Sequence, residues 1–191
     1  MPDGSGSVTG QHKRAKAAFD RALARWRAVP ELNQGRLVPL DSAQATELLD
    51  LAHATAVEAL LWARAFDDAA RGSDGIPALS GYPDKDKLPA EIKAARWAAN
   101  KGVHLLVELA AVDHVGTIGA WGTAPWGAGL VAPMLRWVSD QSRLPQVKAS
   151  PKGKIDQGDQ DIRDAFVAHW RGQPVAIGLT EVEAWLNHWC A

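Results

Sequence analysis

The segment that most constrains the fold of this chain is residues 88–112, LPAEIKAARWAANKGVHLLVELAAV. Its second half is apolar except at His104 and Glu108, and a helix that is apolar on all sides is normally enclosed by other helices. We therefore expect this segment to be a helix at the centre of a bundle. A second long helical pattern, 41–71, is apolar around almost its whole circumference between residues 51 and 66, and it predicts another central helix.

The rest of the chain also favours helices. Helical spacing of apolar residues predicts a helix over 11–29 and another over 157–170, and Thr180 with Glu183 resembles a capping box that would start a final helix. Residues 134–138 are expected to be a short extended piece. The prediction is an all-α bundle of about five helices, with a disordered tail over 1–10 and a single helical domain over 11–191.

An irregular arm rich in glycine and tryptophan is expected over residues 113–138. Trp121 and Trp126 lie in it. Tryptophans in such a loop usually fill the gap between the loop and a core, and the alternative is stacking on a nucleic-acid base. The glycines do not form a Walker-type phosphate loop, since no GK[ST] follows a strand.

Composition excludes several classes of protein. The net charge of −1 offers no general attraction for nucleic acid or anionic membranes. The single cysteine, Cys190, rules out zinc sites built from cysteine pairs and favours a reducing compartment. No signal peptide is recognisable and no run reaches roughly 18 apolar residues. We expect a cytoplasmic protein with no membrane contact, no metal and no cofactor.

The first predicted helix is strongly basic, with six cations: Lys13, Arg14, Lys16, Arg21, Arg25 and Arg27. Two interpretations are open at this point. The cations either form a solvated outer face, or they form a strip that binds phosphate or an acidic partner.

Four polar residues recur at every fourth position of the 88–112 segment: Arg96, Asn100, His104 and Glu108. On one helix they would form a single slanted stripe. His104 would be a general base, Arg96 a phosphate clamp, Asn100 an orienting group and Glu108 a support for the imidazole, a set suited to metal-independent RNA cleavage. The simpler alternative is a solvated Arg96 and a buried His104–Glu108 pair. Glu58, on the other central helix, would need a cation or histidine partner.

The stretch AANKGVH, residues 98–104, resembles the signature helix of the HEPN superfamily, and the acidic, tryptophan-bearing stretch 58–71 is similar to the helix that precedes it. The resemblance implies an all-helical homodimer whose motifs face a shared cleft, with Asn100 as the motif's polar residue and His104 as its histidine. Where the family pattern has an arginine, this chain has Ala99. The nearest arginine is Arg96, which starts about 4.5 Å further along the helix axis.

Two functional hypotheses follow. The first is a HEPN-like RNA-binding protein or metal-independent endoribonuclease, of the kind found among toxins and defence components, with His104, Arg96 and Asn100 as catalytic residues and Glu58 or Glu108 in support. The second is a non-catalytic helical module that binds a partner protein through its Trp-rich arm or its basic first helix.

Overall fold

The computed structural model describes residues 10–29, 38–39, 43–72, 77–101, 106–111, 130–131, 133–147 and 155–191. Over these residues the chain forms five α-helices: α1 Gly10–Arg27, α2 Ala43–Ala70, α3 Ala90–Lys101, α4 Gln157–His169 and α5 Val175–Cys190. Four short strands accompany them: β1 Val38–Pro39, β2 Val107–Ala111, β3 Leu130–Val131 and β4 Pro133–Trp137. The strands form two antiparallel pairs, β1 with β3 and β2 with β4. The predicted all-α bundle is confirmed.

α1 and α2 form the most extensive helix pair of the described bundle. Both helices bury runs of alanine, a residue small enough to let two backbones approach closely. Larger side chains, among them Phe19 and Trp26 of α1 and Phe66 of α2, are buried in the same hydrophobic core. The buried alanines are Ala15, Ala18 and Ala22 of α1 and Ala52, Ala56, Ala59 and Ala63 of α2.

An aromatic cluster packs together the part of the core formed by α3, α4 and β4. Trp137 of β4 stacks on Trp170, just after α4, with ring centroids 4.9 Å apart and an interplanar angle of 15°. Trp97 of α3 lies 4.7 Å from Phe166 of α4. Rings at these separations bury large apolar areas and fix one another's orientation. The cluster therefore joins the β2–β4 pair to α3 and α4.

The predicted helix over residues 88–112 is wrong beyond its first half. α3 ends at Lys101, and residues 107–111 form β2, whose Glu108 lies opposite Arg136 of β4. The error has a physical reason, because a short run that is apolar apart from one residue fits a buried strand as well as a buried helix. The extended piece expected at 134–138 is confirmed as β4, which pairs with this run.

The start of the last helix also differs from the prediction. α5 begins at Val175, directly after Pro174, and not at Thr180. The Thr180 hydroxyl donates to the Ala176 carbonyl inside the helix at 2.8 Å, and Glu183 binds Arg27 of α1. Neither residue caps the helix, so the apparent capping box serves other contacts.

The helices predicted over 11–29, 41–71 and 157–170 are confirmed within a few residues as α1, α2 and α4. α2 is not enclosed on all sides, however, because Leu51, Leu61 and Trp62 are exposed. The predicted tail lies outside the described residues except for Gly10, which starts α1, and Trp121 and Trp126 of the arm also lie outside them. Within the described part of the chain, no helix combines the length and apolarity needed to cross a membrane.

Candidate functional site

Arg96, the predicted phosphate clamp, is held inside the bundle by two carboxylates of α2. Its side chain is only 10% exposed and contacts Asp67, and its Nη1 lies 3.3 Å from the Asp68 Oδ1. Burial lowers the pKa of Arg96, and the nearby Arg64 lowers it further, yet a guanidinium stays protonated in proteins. In the described structure Arg96 thus ties α3 to α2.

Asp67 is the centre of a buried polar network. Besides Arg96 it binds Arg71, the residue directly after α2, and it accepts a 2.9 Å hydrogen bond from the Tyr82 hydroxyl. Arg71 lies over the Tyr82 ring, and the Trp185 indole of α5 lies 3.3 Å from the Tyr82 oxygen. Burial raises the pKa of Tyr82. The network joins α2, α3, the connection around residue 82 and α5.

Asn100 is exposed and shares an open cleft with Arg96 at the end of α3. The cleft has a volume of about 450 Å³ and lies between α3 and the start of α4. Its charged lining residues are Lys85, Lys93 and Arg96 against Asp86, Asp156, Asp159 and Asp161. Because Asp156 already caps the α4 N-terminus and the carboxylates outnumber the cations, this cleft is poorly suited to phosphate.

Of the remaining predicted site residues, Glu108 and Glu58 lie on other elements than α3, which carries Arg96 and Asn100. His104 lies outside the described residues. Glu108 is on β2, opposite Arg136, and its side chain also lies outside them. Glu58 is on α2, where it pairs with Arg25 of α1. The prediction that Glu58 has a cation partner is confirmed, but its side chain is 43% exposed and not buried.

The exposed face of α2 was not anticipated from the sequence. Three large hydrophobic side chains project from it: Leu51 is 42% exposed, Leu61 48% and Trp62 39%. Ala54 and Ala65 are also exposed, and Glu58 is half-buried among them. At 100° per residue these six residues cover an arc of about 100°. We call Leu51, Ala54, Glu58, Leu61, Trp62 and Ala65 the α2 face.

The basic side of α1 adjoins the α2 face at the Arg25–Glu58 ion pair. Two further cations of α1 are paired within the chain, Lys16 with Asp20 and Arg27 with Glu183. The other three, Lys13, Arg14 and Arg21, are exposed. The described surface therefore places one α1 cation, Arg25, directly at the α2 face.

Comparison with protein-family models, curated proteins and solved structures found no match for this chain. Among the described side chains no group of three or more His, Cys, Asp or Glu residues is arranged to hold a metal ion. The class defined by the fold is that of a helical bundle with two short strand pairs. Its candidate functional features are the α2 face and the cleft beside Arg96 and Asn100.

Proposed function

We propose that this protein is a non-catalytic helical module that binds another protein chain through the α2 face. The observation that carries the proposal is the presence of three exposed large hydrophobic residues, Leu51, Leu61 and Trp62, on one arc of a single helix. Single exposed leucines are ordinary on protein surfaces, whereas a contiguous apolar patch typically marks an interaction site.

The composition of the α2 face and its border supports the same function. Tryptophan and arginine are enriched at the centres of protein interfaces, where they contribute most of the binding energy. Trp62 supplies the aromatic anchor, and Arg25 with Glu58 supplies polar groups at the border with α1. Each of the three hydrophobic side chains still has close to half of its surface to bury, which is worth roughly 1 kcal/mol per residue.

The test places a photo-crosslinking amino acid at Leu61 of the full-length protein in cells. The matched control carries the same group at Ile177 of α5, which is 44% exposed against 48% for Leu61. We expect protein adducts at position 61 that are lost when Trp62→Glu is added, and few at position 177. Equal adduct yields at the two positions, or none at position 61, would overturn the proposal.

RNA binding and metal-independent cleavage are the second candidate, in the setting of a toxin or defence component. The supporting observations are that Arg96 and Asn100 line one cleft and that the chain runs on from Lys101, the last residue of α3, to His104. The HEPN-like stretch 98–104 supports the same hypothesis. The ion pairs of Arg96 with Asp67 and Asp68 oppose it, because they occupy the predicted phosphate clamp.

Incubation of the purified protein with mixed single-stranded RNAs tests the second candidate. Cleavage by the wild type that is abolished by His104→Ala would establish it. Equal cleavage by both proteins, or cleavage by neither, would remove it. A gain of cleavage by Ala99→Arg would identify a site that lacks only its cation.

A further inference from the structure

We propose that the chain bound to the α2 face is a second copy of this protein, with the two α2 helices antiparallel across a two-fold axis that passes beside Glu58. The inference rests on the interaction function proposed above and names its partner. It would make the protein a homodimer with an isologous interface, in which the same surface patch of each copy contacts that of the other.

The spacing of large and small residues about Glu58 makes the α2 face complementary to itself. Leu51 lies seven residues before Glu58 and Ala65 seven after it, while Ala54 lies four before and Trp62 four after. In an antiparallel pair centred on Glu58, each Leu51 meets an Ala65 and each Trp62 meets an Ala54. All four side chains are exposed in the single chain, so they are available for this contact.

Each large side chain would therefore sit over a small one, which is the arrangement that lets two helices interdigitate. The alternative parallel arrangement would place Trp62 against Trp62 and Leu51 against Leu51. It would leave the alanines facing each other across a gap. The pattern thus favours the antiparallel pair in particular.

Charge complementarity supports the same arrangement. Arg25 and Glu58 form an ion pair with side chains 53% and 43% exposed, so the pair can still accept further partners. The two-fold axis brings two such pairs together, and each Arg25 then lies near the Glu58 of both copies. The carboxylates at the axis are neutralised in this way, and the net charge of −1 per chain gives little repulsion between copies.

The size of the contact indicates how the dimer should behave. From Leu51 to Ala65 the helix rises about 21 Å, so the two α2 helices would be in contact over about four turns. α1 would contribute to the interface only through Arg25, next to Glu58. Interfaces of this limited extent belong to weaker, reversible complexes. We expect a dimer whose population rises with protein concentration, so the oligomeric state has to be measured over a wide range of protein concentrations.

Sedimentation velocity over about a hundredfold range of concentration tests the register directly. We expect wild type to dimerise, and Leu51→Ala and Ala65→Leu each to weaken the dimer by about tenfold, the first by opening a gap and the second by overpacking. The double variant Leu51→Ala/Ala65→Leu restores the large–small pairing and returns the affinity to within about threefold of wild type. Ile177→Ala is the control and leaves the dimer unchanged.

A disulfide trap tests the position of the two-fold axis. In a Cys190→Ser background, which removes the chain's only cysteine, Glu58→Cys places two thiols across the axis, where helix backbones are close enough for a disulfide. We expect mild oxidation to give a covalent dimer with Glu58→Cys and not with Asp164→Cys on the exposed side of α4. Circular dichroism of each variant verifies that the helices are retained.

The outcomes separate this inference from the function on which it depends. A chain that stays monomeric at all concentrations, or a dimer unaffected by the residue exchange and untrapped at position 58, overturns the inference. Protein adducts at position 61 that contain only other proteins overturn it too, while leaving the interaction function standing. Absence of any protein adduct at position 61 overturns both.

Discussion

Replacing Asp67 with asparagine is the perturbation whose consequence follows most directly from the structure. Asparagine has nearly the same shape as aspartate, and its side-chain oxygen can still accept from the Tyr82 hydroxyl. It removes the negative charge that faces Arg71 and Arg96. The Asp67 side chain is 4% exposed and that of Arg96 is 10% exposed, so water cannot replace the missing partner.

The size of the loss can be estimated from the partners that remain. Removing one member of a buried ion pair costs about 3–5 kcal/mol, because an uncompensated charge is left inside. Arg96 keeps Asp68, whose side chain is 47% exposed, and Arg71 keeps its 3.1 Å bond to the Pro83 carbonyl. These remaining contacts place Asp67→Asn at the low end of the range, about 3 kcal/mol, which is a large share of the stability of an ordinary domain.

Urea denaturation measures this difference, with Asp68→Asn as the matched control. The control should lose no more than about 1 kcal/mol, because half-exposed ion pairs contribute little. We expect the midpoint to fall strongly for Asp67→Asn while the slope of the transition stays unchanged. A loss below about 1 kcal/mol for Asp67→Asn, no larger than that of the control, would refute the description of Arg96 as a structural cation. Arg96→Ala would then become a selective test of phosphate binding.

Two further predictions concern the packing around the core. Burial raises the pKa of Tyr82, the only tyrosine, so its ultraviolet titration should have a midpoint above about 10 in the native protein and return to about 10 in urea. The stability that the neutral Tyr82 hydroxyl contributes is present below about pH 10 and is lost as the pH rises through the native pKa. A native titration midpoint at or below that of the unfolded chain would contradict the raised pKa. Gly178→Ala would place a Cβ 2.7 Å from the Trp170 ring. Thermal and urea unfolding should therefore show a loss of about 2 kcal/mol in stability, in spite of alanine's better helix propensity. The control Gly158→Ala meets only ordinary contacts and should be neutral. Equal stability of the two glycine variants would show that the Trp170 ring can move.

The elements that could be predicted are those with one apolar face. α1 buries a single side, and Ile162, Phe166 and Trp170 in and just after α4 meet the core at every fourth position. Apolar residues therefore recur at helical spacing, and the bounds of both helices were predicted within a few residues. The junction after Lys101 could not be predicted in this way. Apart from Glu108, residues 107–111 are apolar, which suits a buried helix as well as a buried strand. The strand form depends on pairing with β4, which lies more distantly in the sequence.

Among the site residues, too, contacts within one helix can be predicted from the sequence, whereas contacts between distant segments cannot. The ion pair of Asp67 with Arg71 joins two residues that are one helical turn apart, so the sequence alone can indicate it. The contact of Asp68 with Arg96 spans 28 residues and leaves no local signal. The α2 face was misinterpreted as buried, because an apolar side chain does not indicate whether it is covered within its own chain or by another one.

The most direct test of the central claim, that the α2 face contacts another protein chain, is the yield of protein adducts at position 61 relative to position 177. We predict a clear excess at position 61 that disappears with Trp62→Glu while the helix content stays unchanged. Equal yields at the two positions, or an excess that survives Trp62→Glu, would contradict the claim.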